Sequence, residues 1–91
     1  MENLVFTKQD SGYVAEFTAT GDFNLHIEKK EKGGVFFYQK SIYDGEYVPI
    51  KDIKFDKYDF YLDTDFSALV YPKYIKIVSN AIPEVAVVTF A

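Results

Sequence analysis

The chain contains no cysteine, no arginine and one histidine, His26. Without cysteine there is no disulfide, no thiolate zinc site and no cysteine nucleophile. Without arginine the chain lacks the rigid fork that grips phosphates and guanine edges through paired hydrogen bonds. Its 10 bases are all lysine and are outnumbered by 14 acids, for a net charge of −4. An acidic, arginine-free domain is a poor nucleic-acid binder, and no such partner is expected. A single histidine cannot supply the imidazole pair of a zinc hydrolase. The N-terminus, "MENLVFTKQDSGYV", has neither the basic flank nor the apolar run of a signal peptide. No window approaches the roughly 20 apolar residues that span a bilayer. The expectation is a protein made in the cytosol, with no membrane partner.

What the chain has is aromatic side chains. Nine Phe and eight Tyr make up 19% of its 91 residues. A chain of this length makes one domain, here residues 1–91, and buries only about 60–65% of its extended-state surface. Large rings compensate, since each removes roughly 150–250 Å² from water. The start methionine and compact ending suggest a free-standing protein.

Turn signals recur at short intervals: Asp10-Ser11-Gly12, Gly21-Asp22, Gly33-Gly34, Asp44-Gly45, Pro72, and Asn80 through Pro83. The runs between them have strand length. The sequence predicts strands at 3–7, 13–20, 23–28, 35–42, 46–50, 58–65, 74–79 and 84–90. In 23–28, Phe23, Leu25 and Ile27 face one way and Asn24, His26 and Glu28 the other, the period-two mark of a half-buried strand. Tyr13, Ala15, Phe17 and Ala19 share a face in the same manner. No window sustains helical spacing; the best is 64–71, one turn of helix or a sheet-switching loop. The fold class is all-β: a single antiparallel β-sandwich, Ig-like or jelly-roll-like, of about seven to eight short strands, with a small barrel as second choice.

Asp44-Gly45 suits the positive φ of a tight hairpin turn. A two-residue loop would set Ile42 opposite Tyr47, and a three-residue bulged loop would shift that pairing by one. Pro49 cannot donate to a ladder, which places it at a sheet edge or a bulge. The run "EKKEKGG" (28–34) reads as a solvated hairpin tip.

No catalytic constellation emerges. His26 lies on a polar strand face, where a lone histidine is ordinarily a surface residue. Asp52, Asp56, Asp59, Asp63 and Asp65 crowd fourteen residues among lysines. They lack the spacing of a calcium loop, and no two stand out as a glycosidase pair. A solvated face that discourages edge pairing is the plain reading. No nucleophile elbow, phosphate loop or dinucleotide fingerprint is present, and no serine carries a sign of an activating base. No catalytic residue, cofactor or metal site is expected, and the chain is not read as an enzyme. The tyrosines remain. Tyr38, Tyr43 and Tyr47 gather around the hairpin, and Tyr61 lies in a later strand. Tyrosine orders cheaply and is enriched at interfaces, so Tyr38, Tyr43, Tyr47 and Tyr61 form the candidate interaction surface.

The segments "TGDFNLHIE", "GGVFFYQKSIYDGEYVPI" and "YPKYIKIVSNAIPEVAVVTF" together resemble small β-sandwich domains of tailed-phage virion accessory proteins, of the head decoration, auxiliary capsid or head-fibre type. The likeness lies in a strand after Thr-Gly, a strand ending near Gln before an Asp-Gly turn, and an aromatic after that turn, here Tyr47. An aromatic-x-Ile strand (Tyr74, Ile75, Ile77) then leads into an alternating final strand, Val85 to Phe90. It spans roughly residues 20 to 90. Tyr47, Lys76 and Pro83 stand near positions where members often carry Trp, Arg and Gly. The resemblance implies an accessory virion protein made in the host cytoplasm. Its partners would be the major capsid protein, other virion proteins or its own copies, with no catalysis. The alternative is a carbohydrate-binding β-sandwich module, with Tyr38, Tyr43, Tyr47 or Tyr61 as stacking platforms for sugar rings.

Overall fold

The computed structural model describes residues 2–10, 12–31, 33–40, 45–55, 60–66 and 72–90, with the backbone alone for 51–55 and 60–64. Nine strands occur among them: β1 (Glu2–Asn3), β2 (Thr7–Gln9), β3 (Gly12–Ala19), β4 (Phe23–Lys29), β5 (Gly33–Lys40), β6 (Val48–Phe55), β7 (Phe60–Phe66), β8 (Lys73–Ser79) and β9 (Val85–Phe90). No described residue is helical. The strands make two antiparallel sheets, a four-stranded one ordered β1-β9-β4-β7 and a five-stranded one ordered β2-β3-β8-β5-β6.

The pairing is nested. β1 pairs β9, β3 pairs β8, β4 pairs β7 and β5 pairs β6, as though one long hairpin had formed from both ends inward. Rolling that hairpin up adds the lateral pairs β4·β9 and β5·β8. With β2 as a short edge addition to β3, this is the strand order of a jelly roll. Of the two sandwich types expected, the Ig-like one is set aside.

Period-two alternation decides what lies between the sheets. Phe23, Leu25 and Ile27 of β4, Ala86 and Val88 of β9, Val35 and Phe37 of β5, and Ile75 and Ile77 of β8 are buried. Phe17, Phe66 and Phe90 pack against them. Phe23 sits at the centre of the rings, stacked on Phe66 with centroids 4.9 Å apart and edge-on to Phe17 at 5.2 Å.

The structure departs from the sequence expectation in three places. The expected strand 3–7 is two strands in different sheets; between them Leu4 and Phe6 pack against the core, and the Leu4 amide donates to the Ala86 carbonyl at 2.9 Å. The run 28–34 is not a hairpin tip. β4 and β5 lie in opposite sheets, and Lys29 continues the inward parity of Phe23, Leu25 and Ile27 into a buried position.

The strand expected at 46–50 runs instead from Val48 to Phe55, as β6 in a hairpin with β5, and the Ile42–Tyr47 pairing lies outside the described residues. The last described pair of this hairpin is Gln39↔Val48, and the register shifts between Phe37 and Tyr38. That shift falls where Pro49 enters the edge strand, as a residue without an amide hydrogen requires. Asp44 of the Asp44-Gly45 turn, and with it all of 41–44 and 67–71, lies outside the described residues.

Phe37 and Ile77 are fully buried on facing positions of β5 and β8. Replacing either by alanine is expected to cost about 2–5 kcal/mol in urea unfolding. A loss under about 1 kcal/mol would mean that these strands do not form the core.

Candidate functional site

The outer face of the five-stranded sheet gathers tyrosine and lysine. The register sets Glu16, Lys76 and Tyr38 in one row across β3, β8 and β5, and Thr18, Tyr74 and Lys40 in the next. Each alternates with a core residue of its strand, so each points away from the opposite sheet. Tyr47, immediately before β6, joins them. Lys40 Nζ lies 4.5 Å from the Tyr47 ring centroid and 5.9 Å from that of Tyr74. Lys76 Nζ lies 4.7 Å from the Tyr47 ring and 5.0 Å from the Tyr38 ring. The Tyr47 hydroxyl donates to Glu16 Oε2 at 3.3 Å. Cation–π contacts of this kind contribute about 0.5–1 kcal/mol each at exposed sites. Here they also hold two flexible lysine stems in place. An open depression of about 340 Å³, lined by Glu16, Phe17, Thr18, Lys40, Tyr47 and Tyr74, lies within the cluster.

Tyr38 and Tyr47 are therefore brought together, while Tyr43 falls outside the described residues. Tyr61 belongs to the other sheet, opposite Glu28 in register, and its side chain is outside the description. Tyr38 and Tyr61 thus belong to strands of different sheets, because the chain changes sheet between β6 and β7. Tyr74 joins the site without having been singled out. Its signal was the alternation of "YIKI", which puts Tyr74 and Lys76 together on the polar side.

The four-stranded sheet presents a different outer face. His26 Nε2 lies 2.9 Å from Glu28 Oε2, and Asn24 Nδ2 donates to Asp65 Oδ1 at 3.0 Å. Asp63 stands opposite His26 in register. The acidic run 52–65 is divided by the fold, with Asp52 in β6 of one sheet and Asp63 and Asp65 in β7 of the other. Asp56 and Asp59 lie outside the described residues. Among the described residues no three His, Asp or Glu side chains gather as a metal site. Among the described residues there is no helix long and apolar enough to cross a membrane.

Among the described residues Lys29 is the buried titratable group, 2% exposed. Its ammonium donates to Asn80 Oδ1 across the end of the sandwich, from β4 in one sheet to the residue after β8 in the other. Gly33, at φ +144°, leaves room for Asn80, whose side chain a Cβ there would overlap. Loss of hydration pushes the Lys29 pKa below its ordinary value, and the nearby Glu31 carboxylate partly offsets this. The chain matches no protein-family model, no curated protein and no solved structure.

A lysine with a lowered folded-state pKa binds fewer protons folded than unfolded between that pKa and the ordinary 10.5. Stability contributed by this group therefore rises with pH through that window. Lys29→Met fills the same space without charge and does not titrate. Its stability relative to the native protein, read by urea unfolding, is expected to fall as pH is raised from neutral toward 10. A constant or growing difference would show that Lys29 is not buried as a charge.

Proposed function

We propose that this chain is a non-enzymatic contact domain, an accessory virion protein of a tailed phage that docks on capsid protein or on its own copies. The observation that carries the contact reading is the Tyr38, Tyr47 and Tyr74 cluster with Lys40 and Lys76 over its rings. Tyrosine supplies broad contact area with few rotatable bonds, and pre-ordered lysines lose less entropy on docking. The jelly-roll strand order is in keeping with this reading, since capsid and lectin domains share it, although fold alone assigns no function. The virion assignment rests on the sequence resemblance.

The carbohydrate reading draws on the depression beside Tyr47 and Tyr74, where Glu16 and Thr18 offer partners for sugar hydroxyls. Against it, lysine ammonium groups already lie over the Tyr38, Tyr47 and Tyr74 rings, and a stacked sugar would have to displace them. The contact reading therefore ranks first.

Trypsin cleavage after Lys40 and Lys51 releases "SIYDGEYVPIK" as a reporter peptide. In purified phage particles from the source culture, mass spectrometry is expected to find it at a fixed ratio to the major capsid protein. Its absence from particles, with the protein present in the cells, would defeat the virion assignment. On a glycan array the protein is expected to show no saturable binding. Binding lost on Tyr47→Ala would instead establish the carbohydrate module.

A further inference from the structure

The two broad outer faces of the sandwich differ in charge. On the five-stranded sheet, Lys40 and Lys76 lie among three tyrosine rings, and the Glu16 carboxylate beside them receives the Tyr47 hydroxyl. On the four-stranded sheet, Asn24, His26 and Glu28 alternate outward from β4, and Asp65 joins them from β7. β9 runs alongside, setting Val85, Val87 and Thr89 opposite Glu28, His26 and Asn24. Among the described side chains, no lysine alternates onto this second face.

We propose that copies of this chain stack head to tail, the Tyr–Lys face of one copy seated on the His26–Glu28–Asp65 face of the next. The occupant follows from complementarity. Two lysines held over aromatic rings meet two exposed carboxylates, and half-buried Val85 and Val87 offer an apolar floor for the rings. The two longer extents of the molecule, 35 and 29 Å, give each face room for the roughly 800 Å² per partner of a standard interface. Unlike faces make a heterologous contact, which propagates as an open stack unless a rotation closes it into a ring. The net charge of −4 opposes association at long range. At physiological ionic strength, however, screening over about 8 Å leaves the groups in contact to decide the outcome. This inference rests on the contact reading of the Tyr–Lys face and is independent of virion membership.

Sedimentation velocity over a range of concentrations tests it. The native protein is expected to self-associate at physiological ionic strength. In ~1 M salt, where screening tightens to about 3 Å, association is expected to weaken by about tenfold or more. Lys40→Glu/Lys76→Glu and Glu28→Lys/Asp65→Lys should each be monomeric, with melts by circular dichroism verifying that they fold. Mixed, they should form complexes again, because the Lys face of the second variant meets the intact acidic face of the first. A symmetric contact between two Tyr–Lys faces would leave the Glu28→Lys/Asp65→Lys variant associating, which overturns the proposal. A native protein monomeric at every concentration also overturns it, while the particle analysis still decides whether the same face serves another virion protein. Should charge reversal unfold the chain, Lys40→Gln/Lys76→Gln serves in its place, and association undiminished in that variant would equally reject the stack.

Discussion

The packing of five phenylalanine rings between the sheets is the interaction on which the rest of the molecule depends. Phe17 comes from β3, Phe23 from β4, Phe37 from β5, Phe66 from β7 and Phe90 from β9. Phe23 stacks on Phe66 and meets Phe17 and Phe90, while Phe37 reaches Phe66 at 5.4 Å from the facing sheet. Five strands drawn from both halves of the chain are thereby pinned to one cluster. Such ring pairs contribute about 0.5–1.5 kcal/mol each beyond the burial of their area. With no cysteine available for a staple, a domain this small must draw its cohesion from these contacts.

The same strand that begins in the aromatic cluster ends in the buried Lys29. Its inward side reads Phe23, Leu25, Ile27, Lys29, so six residues carry it from the aromatic cluster to a polar closure, roughly 20 Å away by strand rise. A buried ammonium is tolerated only with a partner, and Asn80 supplies one from the opposite sheet. Slipping β4 by one residue would expose Phe23 and Leu25 and drive Asn24, His26 and Glu28 inward. The lysine and the rings thus select the same register from opposite ends of one strand.

Sealing the interior in this way leaves the outer faces free to differ. Three tyrosines and two lysines occupy one, and histidine with carboxylates the other. This difference in chemistry between the two faces is the basis of both proposals above.

Much of the fold was legible in the chain because period-two alternation is a local property. The parity of β3, β4, β8 and β9, the edge position of the Pro49 strand and the polar setting of His26 could all be read from neighbours in sequence. Three things could not. Lys29 is charged and sits in a polar run, so its composition spoke for solvent, and only the parity of β4 and the arrival of Asn80 from fifty-one residues away made burial possible. The choice of jelly roll over Ig-like sandwich depends on which strands become neighbours, and alternation carries no information about neighbours. Tyr38, Tyr47 and Tyr74 belong to three segments whose nearness exists only once β5, β8 and β6, which Tyr47 immediately precedes, share a sheet, while the strand of Tyr61 joins the other one. That the chain makes strands, and which sides of β3, β4, β8 and β9 are apolar, follows from residues two positions apart in sequence. Which sheet Tyr38, Tyr61 and Tyr74 enter is set by long-range pairing, which no local pattern carries.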